Sequence, residues 1–191
     1  MKLLTLARDL KRRKAREKRS LFVAEGVRAV EELLSSGLAV EGALVSPLLA
    51  ETPRGADVLA RLKTDGVEIL EVTERDFQTA ADTESPQGVL AMARVPNQNL
   101  DTVMRGERFR VLILDGIQDP GNAGTILRTA AALGAVATFA LPGTVDLWNA
   151  KVVRSSMGAQ FRHPAISLTG EEFANFLRRE SVELWGAEAG G

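Results

Sequence analysis

The stretch from Phe109 to Ala135 constrains the fold more than any other part of this chain. Val111-Leu112-Ile113-Leu114 is apolar at every position, which suits a strand buried on both faces of a parallel sheet. Asp119-Pro120 follows, a helix cap with proline at the first helical position. Ile126, Leu127, Ala130 and Ala131 then recur at helical spacing and predict an amphipathic helix over 120–133. Parallel strands are joined only by such crossovers, so one buried strand of this kind implies further βα units. The chain continues the pattern with a strand over 137–141, a helix over 149–158, a strand over 162–166, a helix over 170–180 and a last strand over Val182–Ala187.

A separate alternation precedes it. Residues 1–15 read as one helix that grows steadily more basic, and Ser20–Ala24 reads as a short strand. Val27, Val30, Leu33 and Leu34 then mark a helix face that ends at Gly37. A strand over 42–46 and a loop between Pro47 and Pro53 follow, then a helix over 56–63, a strand over 67–72, a helix over 74–81 and a strand over 88–95. The predicted class is α/β: a small three-layer α/β domain over 1–96, a polar, turn-rich linker over 97–108, and a second α/β domain with a parallel sheet over 109–191.

Composition narrows the chemistry. The chain has 191 residues, 45% of them hydrophobic and 26% charged, enough to bury two cores. No apolar run reaches the length of a membrane span. Met1–Ala7 opens like a signal peptide, but Arg8 and Asp9 interrupt it, and a cytoplasmic location is expected. With no cysteine and one histidine, disulfides, thiolate nucleophiles and histidine-rich metal sites are excluded, and no metal is expected. His163, before Pro164, carries no assigned role.

The net charge is −1, yet seven of the 24 Lys and Arg residues fall between Lys11 and Arg19. A basic run on a near-neutral chain points to a polyanionic partner at that end, although the same run would serve as a solvated helix surface. Aromatics make up only 5% of the residues, which argues against binding a polyanion mainly by stacking, and Phe22 is expected in a core.

The helix over 120–133 carries the clearest chemical signal. Gly121, Gly124 and Arg128 share one face, so bare backbone at the helix start is followed by a guanidinium. Free N–H groups and the helix dipole attract anions there, and arginine adds a bidentate phosphate contact. Asn122 and Arg128 stand about 9 Å apart along the axis, a gap that a side chain leaning toward the helix start largely closes. A generic tight βα turn with one exposed arginine remains the alternative. No GxGxxG fingerprint or Walker lysine is present. In 149–158, Lys151, Arg154, Ser155 and Gly158 fall on one helical face and Val152, Val153 and Met157 on the other; such a polar stripe suits a phosphate backbone or an ordinary solvated face.

Gln118-Asp119-Pro120-Gly121-Asn122-Ala123-Gly124-Thr125-Ile126-Leu127-Arg128 resembles the first motif of the SpoU/TrmH-type (SPOUT) RNA 2′-O-ribose methyltransferases. Asp146–Ala159, Phe22-Val23-Ala24-Glu25-Gly26 and Ser85-Pro86-Gln87-Gly88-Val89 resemble further segments of that family, in the same order. The resemblance implies transfer of a methyl group from S-adenosylmethionine to a ribose 2′-hydroxyl of rRNA or tRNA. It implies Asn122 and Arg128 as catalytic residues, with the arginine activating the hydroxyl or holding the adjacent phosphate. It also implies a ribosomal-protein-like RNA-binding fold for the first domain, in which Arg16, Arg19, Glu25, Gly26, Arg28, Gln87 and Gly88 contact RNA, joined by Lys151, Arg154 and Ser155 of the second. Basic residues there would meet phosphates and Gln87 a base edge.

The family's glycine-rich second motif and its Ser-Leu-Asn third motif have no counterpart in these residues. In the family they form a trefoil knot, hold the cofactor and build much of a dimer interface. The second domain is therefore expected to be partial, lacking the knot region, and the cofactor-binding residues are unassigned. An intact protein would be a homodimer acting on RNA, ribosomal in preference to transfer RNA. A non-catalytic RNA-binding module that keeps only the substrate half is the alternative, and a Rossmann-like nucleotide enzyme is a weaker third.

Overall fold

The computed structural model describes residues 2–98, 100, 109–180 and 182–187. Most of the expected linker, 99 and 101–108, lies outside the described residues.

The first sheet takes its shape from period-two alternation. Strand β1 is Leu21–Glu25, β2 Val40–Val45, β3 Ile69–Glu71 and β4 Val89–Arg94. They lie in the order β1-β4-β2-β3, with β4 antiparallel to β1 and β2, and β2 parallel to β3. Phe22, Ala24, Ala43, Val45, Val89, Ala91 and Ala93 face one core, shared with α3 (Val27–Leu34) and α4 (Pro53–Thr64). The intervening residues Leu21, Val23, Leu44, Leu90 and Met92 face a second core, shared with α1 (Lys2–Asp9) and α5 (Glu74–Ala80). Both faces are covered, so the strands are apolar throughout and the three-layer arrangement follows.

The single helix expected over 1–15 is two. Helix α1 ends at Asp9 and α2 spans Arg13–Arg19. The break has a visible cause: Leu10 is buried, and the Arg16 Nη1 donates to the carbonyls of Leu10 and Lys11 at 2.7 and 2.8 Å. A side chain thus takes over carbonyls that a continuous helix would bond internally. The loop between Pro47 and Pro53 contains a 3₁₀ turn, Pro47–Glu51.

The second sheet is parallel, as expected: β5 (Val111–Leu114), β6 (Ala137–Ala140) and β7 (Ala165–Ser167) in the order β5-β6-β7. Helix α6 (Pro120–Ala132) and helix α7 (Ala150–Ser155) cover one face around Leu114, Ala140, Leu127 and Val152. Helix α8 (Gly170–Glu180) covers the other, with the Phe176 ring edge-on to Phe139 at 5.3 Å. The strand expected over Val182–Ala187 makes no ladder; Val182 packs against the α8 face, while Leu184 and Trp185 are 61% and 82% exposed.

The two sheets meet along a junction rich in aromatics. Trp148 lies 4.5 Å from Phe22 and Phe161 5.7 Å from it, ring centre to ring centre, so residues after β6 complete the core of the first sheet. Phe22 is a core residue, as the sequence predicted.

Candidate functional site

The start of α6 is built as its sequence indicates. Asp119 caps the helix, its Oδ1 accepting the Asn122 N–H at 2.7 Å, and Pro120 occupies the first turn. Asn122 and Arg128 are both exposed. Gly124 is not, which corrects the expected bare face. A Cβ there would lie 2.1 Å from the Ser155 Oγ and 2.5 Å from the Val152 carbonyl. The glycine lets α6 and α7 cross at contact distance, so its open backbone faces a helix and not an anion.

The polar stripe expected on 149–158 divides accordingly. Asn149 caps α7 by accepting the Lys151 N–H at 2.9 Å. The helix ends at Ser155, whose hydroxyl lies 2.6 Å from the Lys151 carbonyl and 3.1 Å from that of Pro120, inside the α6–α7 contact. Lys151 is exposed beside the α6 cap, with Nζ 4.0 Å from the Asp119 Oδ2. Gly158 lies beyond the helix, buried, at φ +87°. Met157, expected on the apolar face, is 37% exposed at φ +51°, and its sulfur touches the Arg128 guanidinium.

In the first domain the nominated residues sort by burial. Glu25 is buried; its carboxylate accepts the N–H groups of Asp82 and Thr83 at 2.7 and 3.2 Å and the Thr83 hydroxyl. It fixes the 82–83 turn. Gln87 Oε1 accepts the Val27 N–H at 2.9 Å and so caps α3, whose own N-cap is Gly26. Gly88, at φ +76°, lies so close to the Leu49 N–H group that a Cβ would approach its nitrogen to 2.6 Å. Arg19 and Arg28 are exposed. Arg16 is only 6% exposed and bonds Asp146 of the second domain.

These placements converge on a cleft of about 320 Å³ between the domains. Arg28, Thr83, Ser85 and Gln87 line it from the first domain, Arg154 and Met157 from the second. Arg154 Nη1 sits 3.4 Å from the Asp82 Oδ2 across the gap. Of the nominated residues, Glu25, Gly26, Arg28, Gln87 and Arg154 share the cleft and Arg128 joins it through Met157; Asn122, Lys151 and Ser155 gather at the α6 cap; Arg16, Arg19 and Gly88 line neither. Sequence reasoning missed Met157, Thr83, Ser85 and Asp146. A positive φ at a non-glycine residue has no composition signal, and Arg16 and Asp146 are 130 positions apart. Two arginines, Arg28 and Arg154, thus share the cleft with the polar Thr83, Ser85 and Gln87, the buried Glu25, and the apolar Ala29 and Met157.

A parallel sheet whose first crossover helix presents an exposed arginine, with a separate α/β unit packed against it across a cleft, defines a class of two-unit α/β proteins. The comparisons with known proteins say which. Residues 110–191 match the SpoU rRNA Methylase family and residues 5–91 the MRM3-like substrate binding domain. The 23S rRNA (guanosine(2553)-2′-O)-methyltransferase RlmP of Bacillus subtilis is 34% identical over 179 residues, which span 94% of this chain and 67% of that protein. Human mitochondrial rRNA methyltransferase 3 is 34% identical over 175 residues, 88% of this chain and 40% of that protein. The structure of an AdoMet-bound rRNA methyltransferase from Sinorhizobium meliloti superimposes with a TM-score of 0.78 at 29% identity, covering 93% of this chain and 66% of that one. This chain belongs to the SpoU family of RNA methylases. It spans about two thirds of the bacterial relative's length and two fifths of the human one's.

Proposed function

We propose that this chain carries the RNA-reading domain and the motif-1 half of an S-adenosylmethionine-dependent methyltransferase acting on a ribose 2′-hydroxyl of RNA. One observation carries the reading: Arg128, on the first crossover helix, meets the cleft lined by Arg28, Gln87 and Arg154 through Met157. We take 1–96 as the substrate-binding domain and 109–191 as the transferase domain.

A ribose hydroxyl is a weak nucleophile at neutral pH, and its oxygen gains negative charge as it attacks. Arg128 would supply a cation to that oxygen or to the adjoining phosphate from beside the Met157 sulfur. Asn122, six residues earlier on the same helix, would offer its amide to the ribose-phosphate backbone from the α6 cap. Arg28 and Arg154 neutralise flanking phosphates, which positions the strand without reading its sequence.

The cofactor would supply an electrophilic methyl group on a sulfonium. Open sheets of this type offer ligands the carboxyl ends of their strands. There, after β6 and β7, Leu141–Thr144 and Ser167–Thr169 line a cleft of about 280 Å³. Leu141, Pro142 and Leu168, with bare backbone at Gly143, would hold one face of the cofactor's base, and Arg13 and Asp146 line the same cleft.

Ribosomal RNA is the preferred substrate in this reading, because the relatives above are rRNA methyltransferases by name. A cytoplasmic homodimer is the assembly we propose; among the described residues no helix is long and apolar enough to cross a membrane. The test is transfer of a labelled methyl group to RNA by the full-length protein, followed by nuclease digestion. A labelled 2′-O-methylnucleoside is the expected product. RNA binding with no transfer would establish the non-catalytic module instead.

A further inference from the structure

Within the basic run, Arg16 behaves unlike its neighbours. Lys11, Arg12, Arg13, Lys14, Lys18 and Arg19 are exposed, whereas Arg16 is 6% exposed. Its Nε and Nη2 both donate to the Asp146 Oδ2, the former at 2.9 Å, while Nη1 holds the carbonyls of Leu10 and Lys11. The other Asp146 oxygen accepts the Trp148 N–H at 3.0 Å. One carboxylate therefore links the α1–α2 turn to the loop that seats Trp148 on Phe22 and begins α7.

We propose that Arg16 is a positioning residue, whose buried bond to Asp146 sets the orientation in which the RNA-reading domain meets the helices bearing Arg128 and Arg154. The proposal rests on the function argued above. Two other ion pairs span the same junction, Arg154–Asp82 and Arg162–Glu32, but all four side chains are about a third exposed or more and water weakens them. Stability alone does not explain the buried pair, since an apolar pair of similar volume generally holds a fold at least as well. Direction is what it adds: a planar fork bonded at both ends admits one orientation, where an apolar contact admits a range. Through Trp148 and the α7 cap, that orientation passes to Arg154 and, across the Gly124–Ser155 crossing, to α6.

The test uses the full-length protein with every tryptophan except Trp148 replaced by Phe. The variants are Arg16→Lys, Asp146→Asn and the pair Arg16→Met with Asp146→Leu. Four quantities are read: the single-turnover methylation rate at saturating RNA and S-adenosylmethionine, the RNA Kd against salt, the Tm, and acrylamide quenching of Trp148. A positioning role predicts a roughly 10- to 100-fold fall in rate, the scale on which small misplacements act, with increased quenching and little change in Kd. The Met/Leu pair regains the wild-type Tm but not the rate. A salt slope reduced by about 0.7–0.9 at an unchanged saturating rate would make Arg16 a phosphate contact and overturn the proposal. So would a lowered Tm with unchanged rate and quenching, which would make the pair purely structural. If the parent protein methylates no ribose, the functional reading fails, and quenching with Kd still decides whether the pair orients the junction.

Discussion

Two parts of one junction contrast. In the closed part Phe22, Trp148 and Phe161 interlock, and the charges there, Arg16 and Asp146, are bonded to each other and to backbone. In the open part Arg28, Gln87, Arg154 and Met157 face a cleft, and the charges reach solvent. The same interface thus uses cations in two ways. Buried, Arg16 is held by a carboxylate and two carbonyls; half-exposed, Arg154 has one ion pair across the cleft, and Arg28 faces solvent. The sequence nominated arginines of both kinds for RNA, and burial separates them.

The contrast breaks most sharply if stability is tested on both sides. Phe22→Ala should cost about 3–5 kcal/mol, the usual penalty for emptying a packed aromatic site, read as a lower midpoint in urea denaturation. Met157→Ala in the open part should stay within about 0.5 kcal/mol, the range for surface positions. Equal losses would mean the cleft is as structural as the closed side.

Turnover should respond in the opposite sense. Arg128→Lys keeps the charge and loses the planar fork, so single-turnover methylation should fall on the order of 10²-fold or more, as when one preorganised donor is removed. Tm should scarcely move because Arg128 is exposed, and RNA affinity should scarcely move if Arg28 and Arg154 hold the flanking phosphates as proposed. Near-normal methylation with a lower Tm would make Arg128 a surface packing residue.

A smaller effect sharpens the electrostatic side. Replacing Arg28 and Arg154 together by Ala should flatten the log–log dependence of RNA affinity on salt by roughly 0.7–0.9 for each phosphate that is no longer neutralised. A filter-binding titration with an unchanged slope would place the phosphates elsewhere, with the basic run from Lys11 as the next place to look.

The smallest expected effect lies away from the junction. His163 is buried with Nε2 2.9 Å from the Thr138 Oγ1, and burial pushes its pKa below the ordinary value. The folded state then takes up its proton at lower pH than the unfolded chain, so stability is full above the unfolded pKa of about 6.5 and declines as pH falls below it. His163→Gln should make Tm less dependent on pH between about 7 and 5, the window that a histidine titrates in. An unchanged pH dependence would mean other groups, such as carboxylates, account for it.

The sequence by itself determined what depends on neighbours along the chain. The strand over Ser20–Ala24 and the core place of Phe22 were legible, Asp119-Pro120 marked the start of α6, and Arg128 was legible as an exposed group of that helix. Tertiary structure alone decided what depends on neighbours in space. It turned Gly124 from an anion cradle into a helix crossing, split the first helix where Arg16 captures two carbonyls, and left Val182–Ala187 outside the two sheets of the described residues. Helical and strand periods are set by local backbone geometry, so they can be read from spacing. Whether a charge is buried or free depends on a partner such as Asp146, 130 residues from Arg16, which only packing brings within reach.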